Sequence, residues 1–272
     1  MNAERFRLFS SVFRESDLLI GVPHAGFQPE MAGSIMEEQI RLYELLTAHG
    51  TLFPDFIGAL EPLELPDQYP GADSHETDTH TNTHTDVPGL YAETQPDALR
   101  DKPELPPEIE TMYRCGEATG TGPMSSVAGV FAASAAKRLI EVYNPGEVVV
   151  ENGGDLFIKN SSPLLSVIHA GSSPLSDKLG LVIPPGEWGV CTSSGTLGHS
   201  YSRGRADAVT VVTESTPLAD AWATSLANLV KDPDGIEPVL ERVATIPAII
   251  SCVVIVGDRM GIRGEFEVKP LS

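Results

Sequence analysis

One segment near the middle of the chain carries no charge, and this limits the folds that the sequence can adopt. Residues 124–136 include no Asp, Glu, Lys or Arg, and small residues dominate. Pro123 suits a first helical position, and Lys137 brings the first charge at the end where the helix dipole favours a cation. A helix without a polar face is buried nearly all round. We therefore predict a helix that begins at Pro123 and is enclosed by other elements.

The segments on either side of this helix predict strands more often than helices. Helical periodicity that stops at His49 and Gly50 predicts a helix over residues 29–49. Two apolar runs within residues 8–22 predict a hairpin, and two strands are expected from residue 248 onward. Further strands are predicted over GEVVVEN, DLFIKN, PLLSVIHAG, LGLVIP, GVCTSS and ADAVTVVTES. Sheets combined with a few buried helices indicate an α+β fold with mostly antiparallel sheets.

The length and composition indicate a globular chain with a strongly acidic surface. The 272 residues fit one domain over residues 1–272, which we expect to be bilobal. The 38 acidic residues against 18 Lys and Arg give a formal charge of -20, which repels phosphate backbones and anionic membranes, so neither nucleic acid nor a membrane is an expected partner. The three cysteines are far apart in the sequence, which predicts reduced, buried thiols. We find no apolar segment of signal-peptide or bilayer-spanning length, and therefore expect a cytoplasmic protein.

A polar stretch interrupts the pattern of helices and strands. Residues from about 63 to 107 are rich in Pro, Asp, Thr and Gly without periodicity, so we expect an insertion that forms a loop. His75, His80 and His84 lie among acidic residues there, and such side chains can ligate a transition metal. The spacing matches no established zinc pattern and a polar loop holds no preformed geometry, so a solvated loop is the favoured interpretation.

The first candidate site is the glycine-rich turn before the uncharged helix. Gly120, Thr121 and Gly122 can bring backbone N–H groups together at the positive end of a helix, an arrangement that binds phosphate. The turn is neither a P-loop nor a dinucleotide-binding fingerprint, because no GKS or GKT follows and the preceding segment is predicted to be helical. Tight packing of the turn is the alternative explanation for its glycines.

A second turn combines glycines with acidic residues. Asn152, Gly153, Gly154 and Asp155 lie between two predicted strands, and a hairpin alone accounts for the glycines. Glu151 and Asp155 flank a turn without side chains, which leaves room for a ligand on the backbone and carboxylates to reach its polar groups. Asn152 and the two glycines are therefore candidate cofactor contacts, and Asp155 is a candidate catalytic residue.

A helix predicted over residues 216–230 carries one polar pair. Thr216 suits the N-cap, and a stripe that ends at Leu229 is expected to face the core. Asp220 and Thr224 are four residues apart, so they share one face of the helix and offer only oxygen ligands. Such a pair suits Mg²⁺ that is completed by carbonyls and substrate phosphates. An alternative stays open, in which Asp220 complements the dipole of its own helix.

A segment rich in hydroxyl groups follows one predicted strand. The candidate ligand contacts are Thr192, Ser193, Ser194 and Gly195. His199 is a candidate general base, because imidazole titrates near neutral pH. No GxSxG elbow is present, and Cys191 is predicted to lie inside the strand, so neither a serine nor a cysteine nucleophile is expected.

Several motifs, taken in order, resemble those of the ApbE superfamily, and most closely those of its soluble branch. They are SDLLIG at 16–21, GPMSSVAG at 122–129, ENGGDLFI at 151–158, GVCTSSGTLGHS at 189–200, ADAVTVV at 206–212 and ADAWATSLAN at 219–228. The order of the motifs carries the resemblance, which covers most of the chain outside the insertion.

The resemblance implies a flavin-nucleotide enzyme. ApbE transferases use FAD and Mg²⁺ to attach FMN to a threonine of a target protein with release of AMP, and some cleave FAD instead. Their metal-binding DxxxT helix corresponds to Asp220 and Thr224, their GGD turn to residues 153–155, and their TSG loop to residues 192–195, with His199 nearest to the functional histidine. FAD, Mg²⁺ and an acceptor protein are thus implied by resemblance, with a flavin nucleotide or similar anion as ligand.

Two departures from the transferase pattern bear on the activity. The transferases' HxxDPxTG stretch is not preserved at His199, and GPMSSVAG lacks the lysine of their corresponding helix. The leading hypothesis is Mg²⁺-dependent FMN transfer from FAD or cleavage of the FAD pyrophosphate. The alternatives are a protein that binds a flavin or nucleotide without turnover, and an enzyme of anaerobic sulfur or amino-acid metabolism that acts on another small anion. A homodimer is the default expectation.

Overall fold

The computed structural model describes residues 4–66, 105–195 and 204–271, which contain eleven strands and six α-helices. The strands are β1 (Phe6–Phe13), β2 (Ser16–Pro23), β3 (Val148–Asn152), β4 (Asp155–Asn160), β5 (Leu164–Val167), β6 (Leu179–Ile183), β7 (Gly186–Ser193), β8 (Ala208–Thr213), β9 (Ser251–Val256), β10 (Arg259–Gly264) and β11 (Val268–Pro270). The helices are α1 (Met31–Leu52), α2 (Asp55–Gly58), α3 (Pro107–Thr119), α4 (Val127–Tyr143), α5 (Thr216–Leu229) and α6 (Ile236–Val243).

Two antiparallel sheets organise the described residues. Eight strands form the larger sheet in the order β1-β2-β3-β4-β7-β8-β9-β10, and β11-β6-β5 form the smaller one. Within the larger sheet, neighbouring strands pair antiparallel, and β1 and β2 form the predicted opening hairpin. The predicted α+β class with mostly antiparallel sheets is confirmed.

The larger sheet is covered by helices on one face and by the smaller sheet on the other. Alternate residues of β8 show this division. Val209 and Val211 belong to a core cluster with Trp222 of α5, whereas Ala208 and Val212 pack with residues of the smaller sheet. Helices α1 and α4 cover the β1 to β4 half of the same face, and α5 and α6 cover the β7 to β10 half.

Helix α1 is attached to the opening hairpin through a buried amide, at the point where its apolar pattern is interrupted. Gln39 is 1% exposed. Its Oε1 accepts a hydrogen bond from Ser11 Oγ at 2.5 Å, and its Nε2 donates to the Ser16 carbonyl at 3.0 Å. A buried amide with these partners is satisfied, so the polar residue fixes the position of α1 on the hairpin.

Several predicted boundaries were wrong. Helix α4 begins at Val127, because Pro123–Ser126 form a separate 3-10 turn. The N-cap of α5 is Ser215 instead of Thr216, and Leu229 is 45% exposed instead of facing the core. The tail holds three strands instead of two, and α6 was not predicted. The three cysteines are free and buried, as expected.

Two of the predictions fall on residues that the structure does not describe. The three histidines of the predicted insertion lie within residues 67–104, and His199 lies within residues 196–203. None of the helices in the described ranges combines the length and apolarity that a bilayer crossing needs.

Candidate functional site

The GGD turn places one carboxylate under the helical layer. Gly153 and Gly154 have φ values of 64° and 105° and form a two-residue turn between β3 and β4. Positive φ at both positions explains the glycines, as in hairpins generally. Asp155 begins β4, is 8% exposed, and shares its face of the strand with Phe157, which packs against α4.

Strand β7 lies beside this carboxylate. Cys191 is directly opposite Asp155 in the antiparallel register. The Cys191 thiol hydrogen-bonds the carboxylate, which also accepts from the backbone amide of Thr192. The Cys191 Sγ is also 3.4 Å from the carbonyl oxygen of Thr216, at the start of α5. The thiol therefore lies between the hairpin acid and the helix that carries the second acid.

That second acid, Asp220, caps a helix other than its own. It is 8% exposed, and its Oδ2 accepts a hydrogen bond of 2.9 Å from the backbone amide of Gly129. The amide of Ala128 also bonds to this carboxylate. Both amides belong to the first turn of α4, so Asp220 complements the dipole of α4 and not that of α5. Thr224, one turn along α5, is half-buried.

Burial and neighbouring charge perturb both carboxylates. Burial raises the pKa of Asp155 to about 7, the nearby charge of Glu151 adds to this, and the bonds from Cys191 and Thr192 oppose it. Burial also raises the pKa of Asp220, as does the charge of Asp155, while the α4 amides lower it. No ion pair in the described part of the chain includes either carboxylate. Such a pair retains a proton near neutral pH or takes up a cation.

The donor set fits a hard cation. Across residues 4–66, 105–195 and 204–271, no three His, Cys, Asp or Glu side chains form a metal-binding group. Mg²⁺, however, is commonly held by one or two carboxylates and completed by waters and substrate phosphates. The oxygens of Asp220, Thr224 and Asp155 match that preference, because burial raises the pKa of the neighbouring Cys191 thiol and disfavours a thiolate ligand.

The glycine-rich turn packs tightly against its neighbours. Gly120, with a φ of 73°, ends α3, and the amides of Gly120 and Thr121 both donate to the Gly116 carbonyl, at 2.9 and 3.1 Å. A Cβ on Gly122 would lie 1.8 Å from the carbonyl oxygen of Ala59. Helix termination and close packing thus account for these glycines. Phosphate binding by the turn stays a prediction.

The TSSG segment presents its side chains to both faces of the sheet. Thr192 Oγ1 lies 2.9 Å from Thr210 Oγ1, and both residues face the smaller sheet, away from Asp155. Ser193 is the next residue and therefore lies on the same face as Asp155. Ser194 and Gly195 end the described segment. Of the predicted contacts here, only Ser193 is brought to the same face as the carboxylates by strand alternation.

A cavity of about 380 Å³ lies next to this group, between α4 and the start of α5. Its charged lining residues are Lys137, Glu141, Glu187 and Glu214. Three carboxylates against one ammonium make the cavity unsuited to phosphate groups. Phe157 and Thr216 are among its lining residues, whereas Asp155 and Asp220 are not.

Sequence reasoning missed Gly129 and Cys191 among the residues around the two acids, and it assigned Asn152 to a ligand instead of to α4. Gly129 supplies an amide to Asp220, and Asn152 Nδ2 donates to the carbonyl oxygen of Ala128 at 3.2 Å. Cys191 was expected to be an inert buried thiol, and the structure adds its contact with Asp155. The only sequence signal for Gly129 was its place at the end of GPMSSVAG.

We compared the chain with protein-family models, with curated proteins and with solved structures. A family model described as AbpE bacteria matches residues 81–245. A UPF0280 protein of Methanococcus aeolicus is 38% identical over 173 residues, which cover 61% of this chain and 69% of that protein. A UPF0280 protein of Methanocaldococcus jannaschii is 36% identical over 176 residues, 62% of this chain and 69% of that one. The apo form of the flavinyl transferase ApbE of Pseudomonas stutzeri superposes with a TM-score of 0.49 and 16% identity, covering 97% of this chain and 96% of that chain.

Proposed function

The chain belongs to the AbpE bacteria family, and from this premise we propose that it binds a flavin nucleotide beside Asp155, with Mg²⁺ held at Asp220 and Thr224. We propose further that it transfers FMN from FAD or cleaves the FAD pyrophosphate. The observation that carries this proposal is the pair of buried carboxylates where α4, α5 and the GGD hairpin meet, neither of which forms an ion pair with another of the described residues. Buried titratable groups with raised pKa values concentrate at functional sites.

The two acids have separate roles in this proposal. Asp220 and Thr224 hold the cation, which neutralises charge on the pyrophosphate. Asp155, whose pKa burial raises to about 7, accepts the proton of the attacking hydroxyl. The hydroxyl oxygen, from water or an acceptor protein, bonds to the FMN phosphorus, the bond from that phosphorus to the bridging oxygen breaks, and AMP leaves. His199 is the second candidate for the proton acceptor.

The test is the release of AMP from FAD in the presence of Mg²⁺. We expect the wild-type protein to produce AMP, and Asp220→Asn to reduce the rate at least 100-fold because the charged cation ligand is lost. Asp258→Asn is the matched control, since Asp258 is exposed. Failure of the wild type to form AMP with any divalent cation, with or without candidate acceptor proteins, would remove the catalytic proposal.

Flavin or nucleotide binding without turnover is the second candidate function. It is favoured by the sequence after His199, which departs from the transferase pattern, and by the missing lysine in GPMSSVAG. Saturable quenching of flavin fluorescence without AMP formation supports this candidate. If neither FAD nor FMN binds but another small anion does, the result favours the third candidate, an enzyme that acts on that anion. The acceptor protein, the homodimer and the cytoplasmic location stay predictions.

A further inference from the structure

We propose that Gly129 is a positioning residue for Asp220. The amide of Gly129, in the first turn of α4, holds Oδ2 of Asp220 and thereby orients the carboxylate toward a ligand. The inference rests on the proposed function only for the nature of that ligand, a divalent cation. The hydrogen-bonding arrangement itself is independent of the ligand.

The first observation is that α4 has no cap of its own. The side chain of its N-cap residue, Ser126, makes no capping hydrogen bond and instead donates to the Pro123 carbonyl. The first amides of a helix need acceptors. In α4 the amide of Val127 donates to the Met124 carbonyl, whereas the amide of Gly129 donates to a carboxylate 91 positions later in the chain. Hydrogen bonds from helix amides fix the orientation of a carboxylate, and the helix dipole stabilises its negative charge.

The second observation is the space that Gly129 leaves. A Cβ at this position would lie 2.7 Å from the carbonyl oxygen of Thr216, 2.9 Å from Pro217 Cα and 3.0 Å from Asp220 Cβ. Two of these atoms belong to the backbone of α5 and have no alternative rotamer. Any side chain at position 129 therefore forces α4 and α5 apart, which lengthens the bond to Asp220.

The third observation connects the same turn of α4 to the other acid. Asn152 Nδ2 donates to the Ala128 carbonyl at 3.2 Å, and Asn152 pairs with Asp155 across the GGD hairpin. A shift of the α4 terminus consequently changes the placement of Asp155 relative to Asp220. Gly129 thus lies at the contact that sets the geometry of the whole pair.

The first experiment measures Mn²⁺ binding without flavin, by the electron paramagnetic resonance signal of free Mn²⁺. We expect Gly129→Ala to weaken Mn²⁺ affinity at least tenfold while circular dichroism shows a folded protein. Gly33→Ala is the control, because a Cβ on Gly33 meets no atom within 4 Å. A folded Gly129→Ala protein with wild-type affinity overturns the proposal.

A second experiment decides the question if Gly129→Ala does not fold or if the wild type binds no Mn²⁺. Amide hydrogen exchange at Gly129 is followed by nuclear magnetic resonance in the wild type, in Asp220→Ala and in Asp258→Asn. We expect Asp220→Ala alone to accelerate this exchange at least tenfold. Equal exchange in all three proteins overturns the positioning role, whereas absent Mn²⁺ binding with accelerated exchange contradicts only the proposed cation site.

Discussion

The charge of Asp155 should make the stability of the protein depend on pH in a predictable direction. In the unfolded chain this carboxyl has its ordinary pKa of 3.8, whereas burial raises the pKa to about 7 in the folded protein. Between these two values the folded state holds a proton that the unfolded state releases. The free energy of unfolding therefore falls as the pH rises through this range, and levels off above it.

The size of the effect follows from the same two values. Each pH step between them lowers the free energy of unfolding by about 1.4 kcal/mol. Asp155→Asn removes the titration and keeps an oxygen that accepts from Cys191 and Thr192. Relative to this variant, the wild type should lose about 3 kcal/mol of unfolding free energy between about pH 5 and pH 8.

Urea unfolding of both proteins at several pH values, without divalent cations, measures this difference. Asp258→Asn, with its exposed position, should follow the wild type at every pH. Addition of Mg²⁺ at the highest pH should restore part of the lost stability, since a cation held at Asp220 and Thr224 offsets the charge of the ionised Asp155. A wild-type curve that runs parallel to that of Asp155→Asn would show that the carboxyl ionises normally in the fold and would refute the reasoning.

Two further predictions concern residues outside the site. Burial lowers the pKa of His49 from 6.5 to about 4, so stability should fall as the pH drops through this range, and His49→Gln should flatten the dependence by about 3 kcal/mol in urea titrations. Gln39→Ala should lower the free energy of unfolding by about 1–3 kcal/mol, because Ser11 and Ser16 lose their buried partner, whereas Glu37→Ala on the exposed side of α1 should change it by less than about 0.5 kcal/mol.

Local patterns were sufficient to predict most of the sheet. The β1–β2 hairpin and the strands on either side of the GGD turn are continuous runs whose pairing partners are close in sequence. Helix α6 was missed because Pro238 and three charged residues, Glu237, Glu241 and Arg242, obscure its apolar stripe, although Pro in a first turn is compatible with a helix. Strand β11 has three residues, too few for any periodicity to show.

The candidate site was only half predictable. Asp155 and Asp220 were selected from their local surroundings, a glycine turn and a helix in which Asp220 is the single charged residue. Their hydrogen-bond partners are distant in sequence: Cys191 for the first, and Gly129 for the second. No periodic pattern encodes such contacts, because they arise only when α4, α5 and β7 pack together. The glycine-rich turn has two explanations from sequence alone, since helix endings and phosphate-binding turns both use glycine.

Helix capping alone does not explain the pair of acids. Capping accounts for Asp220, which satisfies amides of α4 that lack another acceptor. It gives no reason for Asp155, which lies at the start of a strand and raises the pKa of Asp220 by its charge. Asn at position 155 would keep the contacts with Cys191 and Thr192 without that repulsion, so a purely structural site would be more stable with the amide. A carboxylate at position 155 therefore suits the role proposed for it, in which its charge accepts a proton beside a cation held by Asp220 and Thr224.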